Sequence, residues 1–363
     1  MFAFSPEICP MTRIELGLFD IQQIDPLAPE SSETVYAGRL DDLAYADSVG
    51  LDIAFVAERH YLSTYRSQSA SVWLGSVSQR TRQMRIGALA YTLPITPPIR
   101  LAEEIATLDQ LSGGRIEVGL GLGHRVEELE VNGVDPARRI DIFQERLAIM
   151  EGLWAGGTVT YESPDTVVRG AFLHPKPIQQ PHPPLWFAGT DPTSAMWAGQ
   201  HGMNLAIGFA PGDQLFGATA AFRNGVAMRR MRETDSGAIR RGEVALMRHL
   251  YVSESLDNAR SEMIDDLLRL GELDSEATEA NRAERRAAAE AHYKTLIERE
   301  VFVAGDAEKV ARSILDARNK LGSTVFLGNV YGGGITGERV QRTIRLLATD
   351  VRDALDSLVT RIG

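Results

Sequence analysis

The stretch LPITPPIRLAEEIATLDQLSGGRIEVGLGLGH, Leu93 to His124, constrains the fold more than any other part of the chain. Pro97 and Pro98 stand where a helix begins, and Ile99, Ala102, Ile105, Ala106, Leu108 and Leu111 then follow a helical stripe. Ser112-Gly113-Gly114 stops that helix, and Arg115 to Leu122 reads as a buried strand running into a glycine-rich loop. A strand, a helix and a second buried strand this closely spaced form a right-handed parallel crossover. In α/β proteins the loop after such a strand opens at the carboxyl ends of the sheet, where ligands bind.

The same alternation runs along the whole chain. Strands are expected at Arg13–Asp20, Asp52–Ala57, Met84–Thr92, Arg115–Leu122, Pro184–Ala188, Asn204–Phe209, Glu243–Val252 and Thr324–Val330. Helices are expected at Thr34–Val49, Ser69–Arg80, Arg139–Trp154 and Thr193–Gln200, with a hairpin-like insertion at Thr158–Leu173. Eight strands, each trailed by a helix, give the α/β class and the count of a (β/α)8 TIM barrel with insertions. An open doubly wound sheet is the alternative. A length of 363 residues, 44% of them hydrophobic, suits one barrel over 12–363 preceded by a loose tail at 1–11. Ser253 to Glu300 breaks the rhythm: it is dense in Ala, Glu, Arg and Asp with little apolar stripe. It reads as polar helices outside the core, either a solvated insertion or a lid with Arg282, Arg285, Arg286 and Arg299 as anion contacts.

A net charge of −11 with no Lys/Arg-rich run argues against a nucleic-acid groove or an anionic membrane surface as partner. No 18-residue apolar stretch is present to span a bilayer. Cys9 is the single cysteine, and MFAFSPEICP has neither a basic n-region nor an apolar core, so a reducing, cytoplasmic setting is expected.

Chemistry concentrates at the expected strand ends. The second strand ends in Glu58, Arg59, His60 and Tyr61, four functional side chains at the catalytic rim of a barrel; histidine moves protons near neutral pH, and a neighbouring carboxylate orients it. A capping ion-pair cluster would use the same residues. The fourth strand ends in GLGLGHRVEE, off the dinucleotide spacing, so its glycines are read as allowing a flat ligand close to the backbone, with His124 and Arg125 at the rim. Thr190, Asp191, Thr193 and Ser194 cluster at a helix start, where a phosphate or an ordinary cap fits. The glycines of VYGGGITGERV precede the last helix and are a second phosphate candidate. His249 falls inside a strand, in core or at rim. No paired ligands suggest a metal site.

Together these motifs resemble the bacterial luciferase-like flavin monooxygenases. AERHY is similar to that family's acid–His–His–aromatic strand end, and LPITPPIRLAEEIATLDQLSGGRIEVGLGLG to its most specific signature. PPLWFAGTDPTSAMWAGQHG resembles its phosphate turn, and VFVAGDAEKVARSI and GERVQRTIRLLATDV its carboxyl-terminal pattern. The resemblance implies a barrel that binds reduced FMN at the strand carboxyl ends and uses molecular oxygen to oxidise a small organic substrate. It places Glu58 near the flavin ring, a non-proline cis peptide at Leu89–Ala90 beneath it, and the phosphate on Thr190 and Ser194 with Gly189 supplying backbone. Two departures follow. Arg59 stands where the family has its first, usual catalytic histidine, leaving His60 or His124 to carry the proton and Arg59 to supply fixed positive charge. Leu122 stands where a phosphate arginine is frequent, a role left to Arg125 or Arg59.

The chain shows no NAD(P)H motif, so a separate, transiently bound flavin reductase would supply reduced FMN. Phe19, Tyr61, Trp186 and Phe209 are the expected aromatic substrate contacts. Related enzymes pair as homodimers through the helices after the second and third strands, here bearing Ala70, Val72, Trp73 and Val77, then Ile99, Ala102 and Ile105. The alternatives are a deazaflavin-dependent oxidoreductase of the same fold, or a non-catalytic flavin-binding barrel.

Overall fold

Short buried runs of the sequence become strands because each is flanked by a helix that covers its outer face. A computed structural model describes residues 13–24, 31–232, 242–269, 282–331 and 337–362. Eight parallel strands are β1 (Glu15–Asp20), β2 (Ile53–Val56), β3 (Arg85–Thr92), β4 (Ile116–Gly121), β7 (Leu185–Ala188), β8 (Asn204–Gly208), β9 (Val244–Val252) and β11 (Val325–Asn329). They pair in that order, with β8 on β9 and β11 back on β1, so the sheet closes into the expected barrel. The antiparallel hairpin of β5 (Val159–Glu162) and β6 (Val167–Ala171) lies outside it.

Helices α1 (Ser32–Ser48), α2 (Ala70–Arg80) and α3 (Pro98–Ser112) follow the first three strands. The α3 stripe buries Leu101, Ala102, Ile105, Ala106 and Leu108, and Gly113 ends the helix at φ 70°, a left-handed cap that glycine adopts without strain. Next come α4 (Val126–Val131), α5 (Arg139–Trp154), α6 (Pro192–Gln200), α7 (Gly212–Arg232), α8 (Leu256–Arg269), α9 (Arg282–Glu298), α10 (Ala307–Leu321), α11 (Glu338–Leu346) and α12 (Arg352–Ile362).

Alternation along the strands divides the core in two. Leu16, Leu18, Ile86, Val118 and Leu246 face the helices, while Phe19, Phe55, Leu89, Trp186, Met247 and Leu327 fill the barrel. Each such buried side chain contributes roughly 1.5–3 kcal/mol. Toward the strand starts the interior turns polar. Glu117, 1% exposed, accepts from Trp186 Nε1 at 2.6 Å and from Arg85 Nη1 at 2.6 Å, and Arg85 also pairs with Glu15. Gly119 lies between these layers; a Cβ there would stand 2.2 Å from the Ala88 carbonyl oxygen, so β3 and β4 approach as they do only because the residue is glycine.

Two elements depart from the sequence reading. A ninth parallel strand, β10 (Phe302–Gly305), pairs with His249–Val252. The cause is the length of β9: it outruns β8, and β10 satisfies the backbone groups left open. The short helix α4, just past His124, is the other element that the strand and helix periodicity did not place.

Within the 253–300 segment, the described parts of α8 and α9 pack on each other and on β10. Glu262 ties α8 down by accepting from Tyr251 Oη at 2.6 Å and pairing with Arg342 at 2.6 Å. Arg286 is engaged with Asp265 at 3.0 Å, and Arg299 is exposed; the side chains of Arg282 and Arg285 lie outside the described residues, as do the 1–11 tail and Gly332–Gly334. The helices expected to pair with a second copy spend most of their apolar residues internally. Ala70, Trp73, Val77, Ala102 and Ile105 are buried within the chain, whereas Val72 is 73% exposed.

Candidate active site

At the carboxyl ends of the strands the barrel opens into a cavity of about 570 Å³. Most of its lining comes from the strands and the loops that follow them: Phe19 from β1, Glu58 and Arg59 after β2, Leu89 and Ala90 on β3, Gly121 to His124 at and after the end of β4, Gly189 to Asp191 after β7, Phe209 after β8 and Met247 on β9. Ser194 on α6, Glu128 on α4 and Arg139 on α5 complete it from the helix side, and no described residue of 253–300 takes part. The Leu89–Ala90 peptide is cis. Opposite it, Gly121 leaves open space: a Cβ there would meet its nearest neighbour, Ala90 Cβ, at 3.4 Å. That wall is flat and apolar.

The rim carries two histidines in opposed environments. His60 Nε2 lies 3.3 Å from Glu58 Oε1, and this hydrogen bond pushes His60 above the ordinary histidine value despite partial burial. His124 is pushed down, first by burial and then by Arg59 and Arg125. Arg59 Nη1 reaches the His124 ring nitrogens at 3.3 Å, so a neutral His124 accepts from Arg59. Groups held apart in this way are suited to opposite roles in proton transfer. Glu128 is 4% exposed and its Oε1 has no partner among the described residues.

The other end of the cavity is suited to an anion. Asp191 caps α6 by accepting from the Ser194 N–H at 2.8 Å, so that helix terminus is already satisfied. The Gly189 N–H donates to Ala206 O at 3.2 Å, which removes it from the backbone role expected of it. What remains is the hydroxyls of Thr190 and Ser194 and the guanidinium of Arg139, which forms no ion pair among the described residues. Arg139 was not foreseen. Its signal is a cation in the first turn of a helix, where the dipole disfavours positive charge unless an anion joins it.

Four expected contacts are corrected in position. Arg125 donates to the His60 carbonyl at 3.1 Å and does not line the cavity, because it ends the glycine loop pointing back along the rim. His60 is one residue removed from the lining and meets it through Glu58. Tyr61 is 57% exposed at φ 58°, past the end of β2, where strand alternation no longer sets direction. Trp186 does face inward, but one layer too deep: it is fully buried on Glu117. Phe19 and Phe209 line the cavity, with ring centroids 5.8 Å apart. Among the described residues no cluster of His, Cys, Asp and Glu could hold a metal ion, and no helix is long and apolar enough to cross a membrane.

Comparison with known proteins agrees with this geometry. An uncharacterized protein, y4wF, of Sinorhizobium fredii is 30% identical over 349 residues, 94% of this chain and 97% of that one. The 4-hydroxyprotoasukamycin monooxygenase of Streptomyces nodosus subsp. asukaensis is 25% identical, covering 86% and 84%. Among solved structures, the oxygenating constituent of 3,6-diketocamphane monooxygenase from Pseudomonas putida, in complex with FMN, superposes with a TM-score of 0.76 at 17% identity, covering 94% and 99%. An F420-dependent secondary alcohol dehydrogenase superposes at 0.71 with 23% identity, covering 95% and 99%. The profile of the luciferase-like monooxygenases matches residues 15–324, and the chain belongs to that family.

Proposed function

We propose that this protein is the oxygenase component of a two-component, FMN-dependent monooxygenase acting on a small organic substrate. One observation carries the reading: a single cavity joins a flat, apolar wall at Leu89, Ala90 and Gly121 to an end bearing Arg139, Thr190 and Ser194. A planar ring with a phosphate tail fits that division, and Arg139, which has no ion pair among the described residues, would meet the anion. The relatives named as monooxygenases support the same chemistry.

Bound reduced FMN would supply the electrons with which molecular oxygen is split between the substrate and water. The chain's own part is binding, orientation and charge. Arg139 with the Thr190 and Ser194 hydroxyls holds the phosphate. Glu58 faces the cavity and fixes the His60 ring, keeping a proton on Nε2. His124, held neutral, is the acceptor at the same rim. Arg59 places positive charge where negative charge develops on oxygen. Phe19, Phe209 and Met247 keep water out.

The test is a set of fluorescence titrations with FMN, reduced FMN and F420. We expect FMN or its reduced form to bind far more tightly than F420, and oxygen uptake to appear when a flavin reductase and NADH are added with substrate. Preferential F420 binding would move the protein to the deazaflavin oxidoreductases, against which its net charge of −11 already counts, given that cofactor's anionic tail.

A further inference from the structure

Phe209 closes one side of the cavity, and beside it the barrel holds two polar side chains with unsatisfied atoms. His249 on β9 and Asn329 on β11 are register partners on adjacent parallel strands. Each continues an inward-facing alternation, Ala245–Met247–His249 and Val325–Leu327–Asn329, so both point into the barrel at its open end. Asn329 is 1% exposed; its Oδ1 accepts the Tyr331 N–H at 3.1 Å, while Nδ2 has no partner among the described residues. His249 Nδ1 is likewise sealed from solvent, with no partner among the described residues. Its ring lies 4.8 Å from that of Phe209 and stacks on Phe302 at 5.8 Å.

An unmet buried donor or acceptor costs the full desolvation of that group, and native proteins leave few of them without a ligand or ordered water to meet them. At the opposite end of this barrel the buried polar groups satisfy one another, as Glu117, Arg85 and Trp186 do. Here two neighbours do not, and Phe209, whose ring packs on His249, is itself a cavity wall. Burial and Arg248 push His249 down to about 4, so its imidazole is neutral at physiological pH. Arg248 alternates to the outward face, from which its charge still reaches His249.

We propose that His249 and Asn329 form the polar anchor of the substrate pocket, a subsite for a single uncharged carbonyl or hydroxyl group whose apolar body lies against Phe19 and Phe209. Asn329 Nδ2 donates to the oxygen, and the neutral His249 ring donates to a carbonyl or accepts from a hydroxyl. A carboxylate is disfavoured there, because neither side chain of the pair carries a charge to meet it. This subsite rests on reading the cavity as the place where cofactor and substrate meet.

Four probes of one skeleton test it by calorimetry on the FMN-loaded protein: acetophenone, 1-phenylethanol, ethylbenzene and benzoate. We expect the ketone and the alcohol to bind about ten-fold more tightly than ethylbenzene, the worth of one hydrogen bond. Asn329→Asp keeps the acceptor for Tyr331 and loses the donor; His249→Phe keeps the ring and loses both nitrogens. Each should bring acetophenone to the level of ethylbenzene with FMN affinity unchanged. Acetophenone should also shift the ring nitrogen resonances of His249 in the wild-type protein. Equal binding of the four probes, no binding at all, benzoate as the tightest ligand, or a ketone preference that survives both variants would each overturn the assignment. Repeating the titration without FMN separates the two readings. Ketone selectivity in a protein that takes up no flavin would uphold this subsite and sink the cofactor, whereas tight FMN with no selectivity would sink the subsite alone.

Discussion

Arg139 and Arg125 show what a sequence can and cannot say about a single residue. Both follow the glycine loop, and both are arginines near a rim. Which one faces the cavity depends on the turn through α4, a helix of six residues whose pattern is too short to read. Arg139→Ala should therefore weaken FMN by about 2–3 kcal/mol, the loss of a charge-assisted contact, while Arg125→Ala leaves it nearly unchanged in a fluorescence-quenching titration. Equal losses would return Arg125 to the phosphate. The histidines are separable by direct titration of their ring protons. His60 should titrate above the ordinary value of 6.5 and His124 below it. Glu58→Gln should lower His60 by removing the negative charge of its hydrogen-bond partner, and Arg59→Gln should raise His124 by removing its charged neighbour. Values that fail to move would mean that burial alone sets both. The AERHY motif announced a rim, but the directions of its side chains were not legible, because they lie beyond Val56, where β2 ends.

At the scale of elements, long periodic segments were readable and short ones were not. Most of the α3 stripe, its Gly113 stop and the strand after it stand where the alternation put them, since burial and the cap each act on local sequence, but Leu111 turns outward at the helix end. β10 has four residues and exists because β9 needs a neighbour above β8, a requirement set by tertiary pairing that no local pattern carries. The depth of Trp186 was hidden for a related reason. Alternation gives the face, but the layer comes from the stagger of β4 and β7. That stagger joins Trp186, Glu117 and Arg85 across three strands, with a consequence in pH. Burial pushes Glu117 up to about 7 from its ordinary 4.5, against the pull of Arg85. The folded barrel then holds a proton that the unfolded chain releases. Stability should fall as pH rises from 4.5 to about 7, then level off. Glu117→Gln should flatten urea midpoints across that window. A slope that persists in the variant would assign it to other carboxylates.

For the molecule as a whole, eight-fold alternation made the barrel legible, because closure needs only strands of one direction covered by helices. Assembly is harder to read, because an apolar residue on a helix serves either its own core or a neighbour, and sequence does not say which. The apolar residues of α2 and α3 that suggested pairing are largely committed inward. Val72 at 73% exposure and Leu111 at 52% remain, on helices that pack against each other and share one outer face through the Gln79–Leu111 hydrogen bond. We propose that this face meets its own copy across a twofold axis. In such an isologous contact a residue near the axis meets itself, so one substitution acts twice. Light scattering at micromolar concentration should give twice the chain mass for the wild type. Val72→Glu should give the monomer with unchanged circular dichroism, since Val72 makes no buried contact to lose. A wild-type monomer, or a dimer indifferent to Val72→Glu, would remove α2 and α3 from the interface. Phe216 and Met231 on α7, exposed at 55% and 83%, would then be the next surface to test.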